Sequence, residues 1–293
     1  MDRNHLKFKS KRGVENMLGY YPGCTVRAQK DDGFERESMA ILNFFGVYAH
    51  ELSQWECCGA VYPLTEDEYV PLLSSVRALQ KTKEENRQGL LTLCSACYHV
   101  LKRVNYRMKN DKEAKKRVGS YLQFEYEGDT KVYHLIEALR DFIGLDKLRE
   151  KTVSPLSEEK IACYYGCLFL RPKEEMGLLD PENPQLMEEI VKALGAEPVK
   201  FPYSTDCCGS YHAYQKEGIS QNISERIVKS AKKVGATQIV TACPLCKHNL
   251  EDCQKKWDER DKLPINYITV PIVQALGGLE ELEKEEFQNQ IAN

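Results

Sequence analysis

Short continuous apolar runs alternate along the chain with longer stretches in which apolar residues recur every three or four positions, and this alternation occurs twice. Leu18 to Tyr21 and Leu90 to Leu93 in the first half, and Ile161 to Tyr165 and Ile239 to Ala242 in the second, have the length and β-prone character of buried strands. Ile41, Leu42 and Phe45 before Gly46 match Leu186, Ile190, Val191 and Leu194 before Gly195, which is helical spacing closed by a glycine stop. Val47 to Leu52 and Ala196 to Phe201 read as further strands. Second helices are predicted over Glu66 to Gln88 and Gly218 to Val234, the latter with Ile219, Ile223, Ile227 and Ala231 on one stripe facing a sheet. Each half closes alike, Val132 to Leu139 resembling Thr269 to Leu276.

Strands alternating with helices of this length predict an α/β fold of two pseudo-repeated units, each a small, largely parallel sheet flanked by helices. The expected organisation is a basic arm (1–17), a first repeat (18–150), a polar linker (151–160), a second repeat (161–278) and an acidic tail (279–293). The tail reads as a solvated helix or disordered end. The first repeat carries an extra segment, Lys102 to Arg117, with eight basic and two acidic side chains, read as a solvated helix face or as a docking or anion-binding surface.

The cysteines follow the repeat. Cys24, Cys57-Cys58-Gly59 and Cys94-Ser95-Ala96-Cys97 recur as Cys167, Cys207-Cys208-Gly209 and Cys243-Pro244-Leu245-Cys246, and account for ten of the 12 cysteines. The intervening segments are 32 and 35 residues in one copy and 39 and 34 in the other. Five thiolates at one point repel one another by roughly 4 kcal/mol per pair at about 4 Å and an effective dielectric near 20, so they stay protonated unless a metal compensates them. A single tetrahedral zinc needs only four ligands and has no use for two vicinal thiolates. Vicinal sulfurs suit a cluster, where neighbours can reach different irons. A disulfide framework is disfavoured, because 293 residues with 42% hydrophobic content can bury a core without staples. Both Cys-x-x-Cys pairs follow a strand and open a helix, whose free N–H groups favour anionic sulfur. Cys163 and Cys253 lie outside the pattern and read as buried small hydrophobes. Tyr20, Tyr21, Tyr164 and Tyr165 either screen the metal sites from water or are ordinary strand residues.

Composition narrows the remaining classes. A net charge of −3 gives no general reason to expect nucleic acid or an anionic membrane. No apolar run approaches the roughly 18 residues of a membrane span. The basic N-terminus lacks the apolar core of a signal peptide, so the chain is expected in the cytoplasm.

The tandem signature from about Leu18 to Gly278 resembles the cysteine-rich CCG domain, and two copies in a chain of this length are similar to the B subunit of heterodisulfide reductase. The resemblance implies two noncubane 4Fe-4S clusters, one on Cys24, Cys57, Cys58, Cys94 and Cys97, the other on Cys167, Cys207, Cys208, Cys243 and Cys246. It also implies an oxidoreductase that cleaves a small-molecule disulfide lying between them, each cluster capturing one sulfur and delivering one electron. Substrates of that family carry anionic groups, for which Arg27 and Arg171 are candidates by position alone. The chain departs from many relatives at Leu168, where they have a histidine placed to give a proton. His99, His212 and His248 are alternatives with an equally good structural reading, and no proton donor is assigned.

The chain has neither the Cys-x-x-Cys-x-x-Cys-x-x-x-Cys-Pro run of ferredoxin clusters nor a Gly-x-Gly-x-x-Gly turn, so electrons must come from elsewhere. The resemblance suggests a ferredoxin-like C subunit fed by a flavoprotein A subunit of a heterodisulfide reductase-like complex. Two rival classes remain: an iron–sulfur electron-transfer subunit of a flavin- or quinone-linked dehydrogenase, and a non-catalytic zinc or scaffold protein.

Overall fold

The computed structural model describes residues 17–28, 33–60, 68–177, 180–212 and 218–284. The basic arm other than Met17, and the tail beyond residue 284, lie outside them.

The first half runs β1 (Met17–Tyr21), α1 (Gly23–Ala28), α2 (Phe34–Phe44), β2 (Tyr48–Glu51), α3 (Leu73–Glu84), β3 (Leu90–Thr92), α4 (Ser95–Asn110), α5 (Lys112–Leu122), β4 (Val132–His134), α6 (Leu135–Ala138) and α7 (Leu145–Glu150). The second runs β5 (Lys160–Tyr164), α8 (Lys173–Met176), α9 (Leu186–Ala193), β6 (Glu197–Val199), α10 (Ile219–Lys233), β7 (Gln238–Thr241), α11 (Pro244–Asp252), β8 (Ile265–Tyr267) and α12 (Thr269–Ala275). Each half forms a four-stranded, wholly parallel sheet, ordered β2-β1-β3-β4 and β6-β5-β7-β8. The predicted α/β class and pseudo-repeat are therefore present.

In both sheets the chain first winds to one side of its opening strand and then crosses to the other. The strand order reverses between β1 and β3, and again between β5 and β7. A crevice at such a switch point, beyond the carboxyl ends of the strands, is where open α/β sheets bind ligands. Cys24 and Cys94 lie just beyond β1 and β3, and Cys167 and Cys243 just beyond β5 and β7.

The two halves share one core. Along β5 and the residue after it, Ile161, Cys163 and Tyr165 face a cluster that includes Leu18, Ile41 and Leu79 of the first half, whereas Ala162 and Tyr164 face a smaller cluster with Ile227, Val228 and Ala231 of α10. Each fully buried large apolar side chain contributes about 1.5–3 kcal/mol, so a joint core commits the halves to one another. The docking is reciprocal: α2 packs on α12, α7 on α9, α4 on α8, and α1 on α11. The segment joining the halves is itself tied down, with the N–H groups of Val153 and Ser154 both donating to the carbonyl of Ala275 at 2.9 and 3.0 Å.

Several elements differ in extent from expectation. The strands expected over 47–52 and 196–201 shorten to Tyr48–Glu51 and Glu197–Val199. The helix expected from Glu66 starts at Leu73, behind a 3₁₀ turn at Val70–Leu72 with Pro71 in its first turn; residues 66 and 67 lie outside the described set. The basic segment is not a separate insert. It is the second half of α4, which outlasts its counterpart α11, plus the start of α5, and Asp111 caps α5 by accepting from the N–H of Ala114 at 3.0 Å. Arg103, Arg107, Lys115 and Arg117 pair with Glu175, Asp111, Glu127 and Glu113, as on a solvated helix face. The start of the acidic tail docks rather than fraying: Leu282 is fully buried, and Glu283 makes two 2.7 Å contacts with Arg36.

Candidate functional site

Each half gathers its five repeat cysteines beyond the switch point of its sheet, and all 12 cysteines are free thiols. In the first half Cys57 Sγ lies 4.0 Å from Cys24 Sγ, and Cys58 Sγ lies 3.4 Å from Cys97 Sγ. Thiol contacts run in sequence Cys24–Cys57–Cys58–Cys97–Cys94. The second half repeats the order position for position, Cys167–Cys207–Cys208–Cys246–Cys243. Cys163 is buried in β5, and Cys253 donates to the carbonyl of Leu250 at 3.2 Å; neither joins a group.

The local sequence explains how each thiol is aimed. Cys94 and Cys243 are the extended N-cap residues of α4 and α11, so Cys97 and Cys246 fall in the first helical turns. Pro244 sits in the first turn of α11, where its missing N–H costs nothing. In Cys207-Cys208-Gly209 the glycine N–H donates to Cys207 Sγ at 3.2 Å, and its φ of 82°, which a side chain rarely adopts, turns the chain away after the pair. Gly59 has φ 68° and bonds Cys57 in the same way.

Two tyrosines brace the vicinal pairs. The Tyr164 hydroxyl donates to the carbonyl of Asp206 at 2.7 Å, and the Tyr21 hydroxyl to that of Glu56; each carbonyl belongs to the residue just before a Cys-Cys pair. Both rings are buried and face their thiol groups. Tyr20 and Tyr165 lie on the opposite face of the strand, where the Tyr165 hydroxyl binds Glu188 at 2.6 Å. The screening role raised for four tyrosines thus fits two. The second group has further support: Asn249 Nδ2 donates to Cys208 Sγ at 3.4 Å and to its carbonyl at 3.3 Å, and Ser224 donates to the same carbonyl at 3.0 Å.

The thiols hold few charges unaided. Cys58 is held below the usual thiol range by its hydrogen bond with Cys97, and Cys97 is pushed up in return. Cys207 is lowered by its bond from Cys167, which is raised, and Cys243 is lowered to about 7 by Cys246, itself raised. Each lowered thiol is matched by a raised neighbour, so filling a group with thiolates requires outside positive charge. Metal fits this donor set, and the backbone is shaped to it. A Cβ at Gly23 would lie 2.6 Å from Cys97 Sγ, and one at Gly166 3.0 Å from Cys246 Sγ, so only glycine lets the first loop lie against the sulfurs. Among the described residues no trio of His, Cys, Asp or Glu closes up as the cage of a single metal ion.

Other candidates are engaged elsewhere. Arg27 pairs with Glu35 and Glu51, and Arg171 donates to the Thr205 carbonyl and to Glu182, both at 2.8 Å. His99 Nδ1 lies 3.1 Å from the Leu168 carbonyl, so this histidine joins the helix of one group to the loop of the other. His212 and His248 are exposed.

The family model of the cysteine-rich CCG domain matches twice, over residues 18–102 and 161–251, spanning both groups. The chain belongs to the CCG cysteine-rich family. Within it, the chain is 32% identical over 271 residues to the 8-methylmenaquinol:fumarate reductase membrane anchor subunit of Wolinella succinogenes, covering 90% of this chain and 93% of that one. It is 30% identical over 234 residues to the B subunit of the ferredoxin/F(420)H(2)-dependent CoB-CoM heterodisulfide reductase of Methanosarcina acetivorans, covering 78% and 77%. A protein of Archaeoglobus profundus described as like the heterodisulfide reductase B subunit is 26% identical over 88% of both chains. The resemblance to the B subunit is thus upheld. A crystal structure of a hypothetical protein from Helicobacter pylori superposes with a TM-score of 0.70 over 92% of this CCG chain at 13% identity; the chain spans about half of that protein, 51%, and the likeness is one of fold. No helix among the described residues is long and apolar enough to cross a membrane.

Proposed function

We propose that this CCG protein is the disulfide-reducing subunit of a heterodisulfide reductase-like complex. Cys24, Cys57, Cys58, Cys94 and Cys97 would hold one noncubane 4Fe-4S cluster, and Cys167, Cys207, Cys208, Cys243 and Cys246 the other. The observation that carries this reading is the reciprocal seam between the halves, where the helix bearing each Cys-x-x-Cys pair meets the loop or helix bearing the opposite half's first cysteine. When bound, such a pair supplies two electrons, matching a disulfide that takes up two electrons and two protons as its S–S bond breaks to two thiols.

The chain's own residues position and insulate. Tyr21 and Tyr164 exclude water from the inner side of each group and fix the backbone entering each vicinal pair. The N-terminal turns of α4 and α11 favour negative charge on the sulfurs. His99 is committed to the Leu168 carbonyl, and no side chain of the site is assigned as proton donor. Electrons would arrive from a ferredoxin-like C subunit, itself supplied by a flavoprotein A subunit, and the cytoplasm is the proposed location.

A second reading takes its starting point from the Wolinella relative. The identity of 32% across 93% of the Wolinella protein fits an electron-transfer subunit of a quinone-linked dehydrogenase, with the same cysteines passing electrons onward. Anaerobic co-purification with the natural partners, followed by assay against mixed disulfides and quinone analogues, separates the two. Disulfide-dependent oxidation of the reduced complex, abolished in Cys57→Ser, is expected; turnover with quinone alone would contradict the disulfide reading.

A further inference from the structure

In each half the residue just ahead of the vicinal cysteines is gripped on the outside of the chain as well as on the inside. Glu56 Oε2 accepts from Arg77 Nη2 at 2.8 Å, and Asp206 Oδ2 accepts from Arg226 Nη2 at 3.5 Å. Arg77 lies on α3 and Arg226 on α10, the long helix that follows the vicinal pair in each repeat. The same two residues, Glu56 and Asp206, give their carbonyls to the buried Tyr21 and Tyr164. With the carbonyl held inward and the carboxylate held outward, the peptide entering each Cys-Cys pair is restrained from both sides.

That peptide decides where two adjacent sulfurs point. Cys57 Sγ faces Cys24 Sγ at 4.0 Å, whereas Cys58 Sγ faces Cys97 Sγ at 3.4 Å, so the neighbours must diverge, and a rotation ahead of Cys57 would swing its thiol away. Cys57 and Cys207 are the exposed members of their pairs, and Cys58 and Cys208 the buried ones. Packing holds the buried sulfur; the exposed one depends on the chain that leads to it.

Stability of the fold does not account for these ion pairs. All four side chains keep between 45% and 55% of their surface exposed, and pairs so placed contribute little to folding. Yet the pair stands at the same point of both repeats, its partners separated by 21 positions in one and 20 in the other. The second is built against a backbone cost. Tyr203 has φ 71°, its carbonyl accepts the N–H of Asp206 at 3.1 Å, and its ring lies 4.4 Å from the Arg226 guanidinium, so the turn that presents the carboxylate also seats the arginine.

We propose that Arg77 and Arg226 are positioning residues for the two metal centres: each holds the carboxylate ahead of its vicinal pair and so keeps the exposed cysteine, Cys57 or Cys207, turned toward the metal. The inference rests on the iron–sulfur reading above. Arginine suits the role, because its planar guanidinium offers a carboxylate a fixed fork of N–H donors where an ammonium offers a point charge. Groups that orient a ligand from outside the metal's own contacts commonly decide how well it holds. An exposed cysteine is where water first competes for the metal, so its orientation governs how fast the centre comes apart.

The test is iron release to a ferrous chelator from the anaerobically isolated complex, each centre being followed by the EPR signal that survives in Cys207→Ser or in Cys57→Ser. Arg77→Gln should speed loss from the first centre about two- to fivefold, the range set by one exposed ion pair, and alter the shape of its signal while leaving the second centre as it is. Arg226→Gln should do the reverse. Arg77→Lys should fall between Arg77→Gln and wild type. Arg77→Glu alone should release iron fastest, and joining it to Glu56→Arg, which reverses the pair, should bring the rate back toward wild type. Unchanged release and signals in both Gln variants, equal effects on the two centres, or a reversed pair no better than Arg77→Glu would each overturn the positioning role. Wild-type protein without iron and sulfide would instead overturn the iron–sulfur reading itself.

Discussion

The ring of Phe34, at the start of α2, stacks on the ring of Tyr267, at the end of β8, with centroids 3.8 Å apart and planes within 11°. One side chain belongs to each repeat, and both are about 1% exposed. Their contact lies in a core that includes residues of both sheets, so the halves should unfold together. Phe34→Ala should cost about 3–5 kcal/mol, the usual range for emptying a buried aromatic site. Urea denaturation of the metal-free protein should show one transition for wild type and variant alike. Two separated transitions would mean that the repeats fold as independent units.

Gly23→Ala and Gly166→Ala test whether the backbone is shaped around the sulfurs. Both positions have positive φ, 71° and 65°, which costs a side chain roughly 1–2 kcal/mol before any clash. The added methyl would then press on Cys97 Sγ at 2.6 Å or on Cys246 Sγ at 3.0 Å. Gly23→Ala should lose the iron of the first group and keep that of the second, and Gly166→Ala the reverse. Full iron in both variants would show that the close approach is not required.

The two groups differ in shielding. Cys24 and Cys57 are exposed in the first, whereas Cys207 alone is exposed in the second, with Cys167 intermediate. The Asn249 and Ser224 bonds around Cys208 add to that difference. An iron chelator or brief exposure to air should therefore strip the first group before the second. Following the signal that survives in Cys57→Ser and in Cys207→Ser identifies which is lost, and simultaneous loss from both would contradict the prediction.

His134 gives the fold a pH dependence of definite sign. Burial lowers its pKa to about 3, against about 6.5 in an unfolded chain, so between those values the unfolded chain binds a proton that the folded chain refuses. Its contribution is therefore level above about pH 6.5 and falls as the pH drops toward 3. Between pH 6.5 and 5 the loss from this group is about 2 kcal/mol. His99, lowered mainly by its own burial, pushes in the same direction, so the comparison that isolates His134 is wild type against His134→Gln. The variant should lose less stability across that interval; parallel curves would place the proton elsewhere.

Much of this arrangement was legible in the sequence. The tandem spacing of Cys24, Cys57, Cys58, Cys94 and Cys97 with its second copy pointed to two convergent groups, and the strand runs at Leu18 and Leu90 placed them at sheet ends. Helix starts were less legible where Pro71 opened a 3₁₀ turn ahead of α3. The turn at Gly59 and Gly209 could have been inferred, because a glycine fixed behind two vicinal thiols marks a left-handed turn there. A buried Ser95–His134 bridge could not. It joins residues 39 positions apart to the Ala242 carbonyl of the other half, and nothing in the local pattern of either segment records that docking. Arg27 and Arg171 illustrate the opposite limit: proximity in sequence to Cys24 and Cys167 suggested anion binding, but nearby carboxylates engage both.

If each five-thiol group holds a polynuclear iron centre, metal and sulfide analysis of anaerobically purified wild-type protein shows it most directly. The expected result is roughly eight irons and a comparable amount of acid-labile sulfide per chain, falling to about half in Cys57→Ser and in Cys207→Ser. Zinc without sulfide, or iron content unchanged by either substitution, would contradict it.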